Sequence, residues 1–347
     1  MSYRTGHSGP SVHRRMTGED RMGDGAKPVL ALDIGGTKLA VAVVTPDGVL
    51  HGYRIEPTRR EEGPGVIIPR LFAMGRAAIA SAADEGIGPV GAVGISCGGP
   101  LDAAAGVLVN PLHLPGWIDI PIVRMAAEAF GIPAVLENDA TAGALAEYRF
   151  GAGRGASTEL YLTVSTGIGG GAIVDGRLHR GAAGNGGEFG HIMVRPGGRT
   201  CLCGRLGCLE AYASGTSIAT RAVEALAVDD RASVLRDIER PTAADVAHGF
   251  ESGDALASEL WTETADVLAS AVTDLINVFE PDVVILGGGV TRSGAALLDP
   301  VRSSALYSAM RPAAAKVDIV LAELGDTVCV VGAAALAFDA LSEAAHV

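Results

Sequence analysis

The sequence has few aromatic residues and no excess of basic ones, and both deficits restrict what the protein can be. Aromatic residues make up 4% of the 347 positions whereas glycine occurs 48 times. That combination is typical of α/β packing with many close backbone approaches. Acidic residues outnumber basic ones by 40 to 27, and the resulting net charge of −13 disfavours nucleic acids and anionic membranes as partners.

Long apolar runs and a disulfide framework are also missing. No uninterrupted apolar run reaches the roughly 18 residues that a membrane-spanning helix needs, so we expect no membrane partner. Three of the five cysteines share one short loop, which argues against a disulfide framework and for a reducing, cytoplasmic location. Apolar residues still make up 48%, enough to bury a large core in one two-lobed chain or two domains.

The densest group of potential metal ligands lies in the loop 188–210. His191 precedes Cys201, Cys203 and Cys208, and three thiolates with one imidazole complete a tetrahedral set for a structural zinc ion. Two glycines between the last two cysteines let the loop fold around a single ion. The alternatives are a redox pair or buried free thiols. They fit less well, because Cys-x-Cys is a poor redox spacing and the histidine would have no role.

Two glycine-rich hairpins follow the same plan. The first joins predicted strands at 29–32 and 39–44 through Asp33 and a Gly-Gly-Thr-Lys turn, and the second joins 160–165 to 172–174 through a predicted turn at 166–171. Backbone amides in such turns make a cradle for an anion, most often a phosphate. The repetition predicts two similar lobes that face one nucleotide across a cleft.

Two further segments carry candidate site residues. Asp139 follows a short predicted strand and precedes a helix, so it could be a helix cap or a catalytic carboxylate at the ligand-binding end of a sheet. Gly287 and Gly288 follow a predicted strand at 283–286. They could lie beneath an adenosine, or form a plain turn from a strand into a helix.

Several of these motifs occur in an order that resembles a known family. The order is Asp33-x-Gly-Gly-Thr-Lys, Glu137-Asn-Asp, Gly167-x-Gly-Gly-Gly, Glu188-x-Gly-His and the cysteine motif ending at Glu210. It resembles the ROK family, bacterial sugar kinases and related repressors. The implied fold is the α/β, actin-like or hexokinase-type ATPase fold, with two lobes and a duplicated core around a central cleft. The spacings are most similar to those of actinobacterial glucokinases.

The resemblance implies a role for each motif in the transfer of a phosphoryl group from ATP to a sugar. Asp139 would be the general base. The residues that would bind the sugar are Asn110, Asn138, Asp139, Glu188, His191 and Glu210. The residues that would bind ATP with its Mg²⁺ are Asp33, Gly35, Gly36, Thr37, Lys38, Thr166, Gly167, Gly287 and Gly288. The residues that would hold the zinc ion are His191, Cys201, Cys203 and Cys208.

The expected organisation is a disordered tail at 1–28, an N-terminal lobe at 29–137 completed by a helix at 334–347, and a C-terminal lobe at 138–333. Glucose is the first expected substrate, with mannose, fructose or an N-acetylhexosamine as alternatives and a homodimer or homotetramer as the expected assembly. A sugar-sensing repressor is less favoured, because residues 1–28 are too short for a DNA-binding domain.

Two departures from the family pattern lie on the sugar side of the predicted site. The run from Ile95 to Asp102 lacks the usual Pro-Gly turn, and His113 stands just before Leu-Pro-Gly-Trp where the family often has asparagine. These departures concern the identity of the sugar rather than the reaction.

Overall fold

The computed structural model describes residues 26–344. Of the predicted tail at 1–28, only residues 26–28 lie inside this range, and they precede the first strand without helix or strand structure. The prediction of a disordered tail therefore concerns residues outside the described part of the chain.

The first half of the chain builds a five-stranded sheet and the helices that cover it. Its elements are β1 (Val29–Ile34), β2 (Lys38–Val44), β3 (Leu50–Pro57), α1 (Pro64–Asp84), β4 (Val93–Cys97), β5 (Leu101–Asp102), β6 (Val107–Leu108), α2 (Ile122–Phe130), β7 (Ala134–Asn138) and α3 (Asp139–Phe150). The sheet order is β3-β2-β1-β4-β7, with β1, β4 and β7 parallel and β5-β6 a separate small hairpin.

The second half repeats this arrangement. Its elements are β8 (Glu159–Val164), β9 (Ile168–Val174), β10 (Arg177–Leu178), α4 (Glu210–Ala213), α5 (Gly215–Val228), α6 (Ala243–Glu251), α7 (Ala255–Phe279), β11 (Val283–Gly287), α8 (Ala295–Ser308), α9 (Arg311–Ala314), β12 (Asp318–Leu321) and α10 (Val328–Ala344). The sheet order is β10-β9-β8-β11-β12, the same succession of antiparallel hairpins followed by parallel strands. The duplication predicted from the two hairpins is present.

Both faces of the first sheet are buried, which explains why β1 is apolar at nearly every position. Leu30 and Leu32 pack in the cluster that includes α1 and α2, whereas Val29 and Ala31 pack against α10. The alternation follows from the two-residue period of a strand. Gly94 on β4 is required for this packing, because a Cβ atom there would lie 1.7 Å from the Ala333 carbonyl oxygen.

Helix α10 returns from the C-terminal half to cover the N-terminal sheet. It packs on that sheet and against α3, which in turn packs on β8 and β9. That a helix at 334–347 completes an N-terminal lobe stays a prediction, and α10 itself begins at Val328. We retain lobe boundaries at 137 and 333 as a proposal.

Two helical segments, Pro64–Asp84 and Gly325–Ala344, are long and apolar enough to span a membrane by length and composition. Core helices of folded proteins pass the same test, and both segments supply buried residues to the clusters around the first sheet. Their apolar character is therefore accounted for by packing.

The structure differs from the predicted elements at the second glycine turn. Gly169, Gly170 and Gly171 lie inside β9 and pair with β8 instead of forming a turn, which is confined to residues 165–167. The reason is close packing of α3 on the sheet. A Cβ atom on Gly169 or Gly171 would come within 2.7 Å of the Cβ of Ala140 or Ala144, respectively.

The predicted amphipathic helix at 257–279 is present as α7. Leu260, Val267, Leu268, Ala271 and Leu275 on its apolar stripe are buried in the large cluster of the C-terminal half. Thr264, the polar residue on that stripe, is fully buried, and its hydroxyl donates a hydrogen bond to the Leu260 carbonyl and accepts one from the buried Arg221 guanidinium. The stripe is therefore core, as predicted.

Candidate active site

The β1–β2 turn forms the first anion cradle. The Gly35 amide donates to the Lys38 carbonyl at 3.0 Å, and the Thr58 hydroxyl donates to the Gly35 carbonyl at 2.6 Å. Thr37 at the tip is exposed. These hydrogen bonds fix the turn on its inner side and leave its tip exposed to solvent, as a phosphate-binding turn requires.

Asp33 lies at the base of this cradle, near the end of β1. Its side chain is 6% exposed and accepts a hydrogen bond of 2.6 Å from the Ser96 hydroxyl on β4. Burial raises its pKa to about 7, repulsion from Asp139 adds to the effect, and Lys38 opposes it. A buried carboxylate with this environment is suited to a cation, whose charge would restore the ionised form.

Asp139 is the first residue of α3, directly after the carboxyl end of β7. The helix cap is Asn138, whose Oδ1 accepts the amides of Ala140 and Thr141 at 3.0 and 3.4 Å. Capping therefore does not require Asp139. Burial raises the pKa of Asp139, whereas the Ala140 amide and the nearby His113 lower it. Asp139 could have been a helix cap or a catalytic carboxylate. Because Asn138 is the cap of α3, the structure excludes the first interpretation.

His113 is a site residue that was not among the predicted candidates. A Cβ atom on Gly36 would lie 2.9 Å from the Cβ of His113, and one on Gly98 would lie 2.3 Å from its Cε1. The imidazole thus lies between the first phosphate cradle and the turn after β4, within electrostatic reach of Asp139. The departure from the family pattern at position 113 was the signal that could have identified it.

The four predicted zinc ligands lie together. Their ligand atoms are all within 4.8 Å of one another, with 3.7 Å between the Sγ atoms of Cys203 and Cys208 and 3.6 Å between Cys201 Sγ and His191 Nδ1. Zinc–sulfur bonds of about 2.3 Å require ligand separations of about 3.8 Å in a tetrahedron. The donor set and its spacing therefore fit a zinc ion.

The second nitrogen of His191 points away from this cluster. Its Nε2 lies 3.9 Å from a carboxylate oxygen of Glu188, whose side chain is 59% exposed. Within the cysteine cluster, a hydrogen bond from the Arg205 backbone amide lowers the pKa of Cys203 and so favours its thiolate form. A metal bound at Nδ1 would leave the Nε2–H of the ring beside Glu188, where both groups can contact a ligand.

Glu210 connects the cysteine cluster to the second phosphate turn. It begins α4, and its Oε2 accepts the amide of Ile168 at 2.9 Å while its Oε1 lies 3.9 Å from Cys201 Sγ. A Cβ atom on Gly167 would meet the same carboxylate at 2.7 Å. Through Glu210, the Thr166-Gly167 turn is thus connected to the loop that carries the candidate metal ligands.

A cavity of about 590 Å³ opens beside the second phosphate turn. Ser165 and Thr166 line one end, the start of α5 and the helix α6 line its walls, and Val290 and Arg292 line the side formed by the turn after β11. The cavity is lined by Gly289 but not by Gly287 or Gly288. Those two glycines pack against the second sheet, where Cβ atoms on them would meet the Tyr161 hydroxyl and the Val164 carbonyl oxygen.

Asn110 is the sugar-side candidate that the structure joins least to the others. It is exposed, and its amide donates to the Pro100 carbonyl at the base of the β5–β6 hairpin. The remaining candidates form two groups, one around Asp33 and Asp139 and one around Glu210 and the cysteine cluster.

Residues 29–340 match the family model described as "ROK family". The chain belongs to the ROK family. It is 34% identical over 311 residues to a glucokinase of Thermotoga maritima, covering 89% of this chain and 96% of the relative. It is also 34% identical over 310 residues to an N-acetylmannosamine kinase of Escherichia fergusonii, with coverage of 89% and 97%.

Solved structures of the family share the fold. A ROK family glucokinase from Streptomyces griseus, solved with glucose and AMPPNP, has a TM-score of 0.74 and 34% identity, covering 90% of this chain and 99% of that one. The expected actin-like, hexokinase-type fold and the likeness to actinobacterial glucokinases are confirmed. The curated glucokinases and the glucokinase solved with AMPPNP show that this ROK protein is an ATP-dependent sugar kinase.

Proposed function

We propose that this ROK protein transfers the γ-phosphoryl group of ATP to a hydroxyl of a hexose, with glucose as the first candidate and glucose 6-phosphate as the product. Asp139 acts as the general base. The observation that carries the proposal is the placement of Asp139 at the end of β7, released from helix capping by Asn138 and beside the Asp33 cradle.

The reaction follows from this placement. The sugar oxygen attacks the γ-phosphorus, the bond to the β,γ-bridging oxygen breaks, and ADP leaves while the hydroxyl proton passes to the Asp139 carboxylate. Residues 35–38 and 165–167 hold the phosphates with backbone amides. Asp33 would hold the Mg²⁺ that accompanies ATP, and the charge of that ion would neutralise the phosphate oxygens.

The nucleotide and the sugar occupy opposite ends of this arrangement. The adenosine lies in the cavity between α5 and α6, next to Thr166 at the second phosphate turn. The sugar hydroxyls contact Asn138 through its side-chain amide nitrogen, together with Glu188, His191 and Glu210, while Oδ1 of Asn138 caps α3. His191 and the three cysteines would hold a structural zinc ion, which would fix the imidazole and the Glu210 segment.

The sugar is the finer part of the proposal. Glucose is preferred on the glucokinase relatives, and N-acetylmannosamine is the second candidate because a kinase for that sugar shares the same 34% identity with this chain. Mannose, fructose and N-acetylglucosamine remain in the test panel. A cytoplasmic homo-oligomer is the expected setting.

The test is an ADP-release assay with Mg-ATP against this panel, with Asp139→Asn as the control. Turnover on glucose that Asp139→Asn abolishes supports the proposal. Turnover on another sugar of the panel retains the mechanism and replaces the substrate. Sugar binding without any turnover contradicts the kinase assignment and favours a sugar-sensing protein.

A further inference from the structure

One ion pair joins the segment that leads to the proposed sugar-binding residues to β7, the strand that directly precedes Asp139. The Nε of Arg180 donates to Oε2 of Glu137 at 2.7 Å. Arg180 follows β10 in the C-terminal half, and Glu137 lies in β7 of the N-terminal sheet. The contact therefore spans the two halves of the proposed site.

Glu137 is well placed to fix the end of β7. Its side chain is 1% exposed, and its second oxygen, Oε1, accepts the amide of Asn138 at 3.1 Å. Asn138 in turn caps α3 and precedes Asp139. A buried carboxylate is costly to leave without a cationic partner, so loss of Arg180 would force this strand end to rearrange.

Arg180 also shapes the segment 180–188 through its backbone. Its carbonyl accepts the Gly186 amide at 2.8 Å, and the preceding His179 amide donates to Ala172 on β9. Gly187 follows with a φ of 95° and lies against Gly170, because a Cβ atom there would meet the Gly170 carbonyl oxygen at 2.8 Å. Arg180 thus pairs with Glu137 through its side chain and, through its backbone, closes the loop that precedes Glu188.

We propose that Arg180 is a positioning residue that, through Glu137, sets the sugar-binding segment 186–191 relative to the base Asp139. The proposal rests on the proposed function for its kinetic consequences. Neither Arg180 nor Glu137 contacts the reacting atoms in it. The pair instead fixes the distance between the bound hydroxyl and the carboxylate, on which the rate of proton and phosphoryl transfer depends steeply.

The test compares Arg180→Met with Arg177→Met, an exposed arginine of β10 three residues earlier. For Arg180→Met we expect kcat to fall about tenfold and the sugar KM to rise, with the ATP KM unchanged, since small misplacements of bound groups are this costly. Arg177→Met should match the wild type. Arg180→Lys should recover part of kcat, because it restores the charge with a poorer geometry.

A double-mutant cycle with Glu137→Gln decides whether the pair is the cause. The double variant should lose no more activity than Arg180→Met alone, because both changes remove one interaction. Losses that multiply, a sugar KM unchanged in Arg180→Met, or equal effects on sugar and ATP KM would overturn the proposal.

Hydrogen exchange separates this proposal from the proposed function, because it needs no substrate. Arg180→Met should increase exchange at the amides of Asn138, Ala140 and Thr141, whereas Arg177→Met should not. If the wild type phosphorylates no sugar, the proposed function fails and the exchange result alone decides the coupling. Unchanged exchange in Arg180→Met would contradict the coupling even in an active enzyme.

Discussion

At the scale of single residues, the pKa of Asp139 gives a test of its proposed role as the general base. Burial raises its pKa, so the carboxylate that would accept the proton forms at a higher pH than in an ordinary aspartate. We expect kcat/KM to fall on the acid side of its pH profile with an apparent pKa above the ordinary aspartate value of 3.8. A pH profile of the wild type measures this value.

Replacement of the base tests the same assignment. Asp139→Asn keeps the size of the side chain but cannot accept the proton, so kcat should fall by about 10²- to 10⁴-fold while sugar binding is retained. Steady-state kinetics and calorimetric titration with the sugar measure the two effects. Wild-type turnover in this variant would remove Asp139 from the mechanism.

Glu159 is a buried carboxyl group outside the site. It is fully buried, and among the described residues neither of its carboxyl oxygens has a hydrogen-bond partner. Burial raises its pKa well above the usual value, and the nearby Glu147 adds to the effect. The folded chain thus keeps a proton that the unfolded chain releases, so this group lowers the free energy of unfolding as pH rises above the ordinary carboxyl pKa.

Glu159→Gln should remove that pH dependence. We expect the variant to gain stability relative to the wild type, with a larger gain at pH 8 than at pH 5. Urea denaturation at both pH values measures the difference, and Glu323→Gln, at an exposed position, is the control. A difference between variant and wild type that is independent of pH would show that Glu159 is ionised in the folded protein.

At the scale of elements, the cysteine loop and α4 act together. Cys203→Ser should lower the zinc content and the melting temperature, and raise the sugar KM, because Glu210 and His191 lose a common support. Atomic absorption, thermal denaturation and kinetics measure the three effects. Cys329→Ser, outside the cluster, should keep the wild-type zinc content, and full zinc in Cys203→Ser would contradict the ligand assignment.

The docking of α10 on the first sheet gives a second prediction at this scale. Gly94→Ala would place a methyl group 1.7 Å from the Ala333 carbonyl oxygen, so we expect a loss of about 1–3 kcal/mol or more in the free energy of unfolding. Gly88→Ala, where no atom lies within 4 Å of the new methyl, should be close to neutral. Chemical denaturation of both variants measures the contrast.

The sequence predicted elements where a local pattern determined them, and missed those that depend on packing. The two hairpins, α7 and the clustering of His191 with three cysteines all follow from residue type and spacing. Helices α1 and α8 contain Pro69 and Pro300, and neither was predicted. The extended course of Gly169–171 depends on α3 lying against the sheet, which glycine-rich sequence alone does not reveal.

The candidate site shows the same division. The motifs identified Asp33, Asp139 and Glu210, because each lies in a recognisable pattern. The capping role of Asn138, the position of His113 and the pair between Arg180 and Glu137 each require knowledge of which segments meet in three dimensions. Residues that are distant in the sequence and meet only in the folded protein form no recognisable spacing. A single sequence therefore does not identify them.

At the scale of the whole molecule, bound sugar, nucleotide and metal should each stabilise the folded conformation to which the other two bind. A ligand present at 100 times its Kd adds about 2.7 kcal/mol to the free energy of unfolding. We therefore expect glucose to raise the melting temperature of both the wild type and Asp139→Asn. Prior removal of zinc with a chelator should diminish this shift, because His191 and Glu210 would lose their arrangement, and an undiminished shift would separate the metal from the sugar site.

The path of α10 has a consequence for how the protein is made. The strands of the first sheet are synthesised early, but the helix that covers one of their faces is synthesised after both sheets. On the ribosome, the second sheet and the loop with the His/Cys cluster are therefore synthesised while the first sheet still exposes an apolar face. During that interval the exposed apolar face favours aggregation, and we expect the first sheet to reach its final packing only after α10 has emerged.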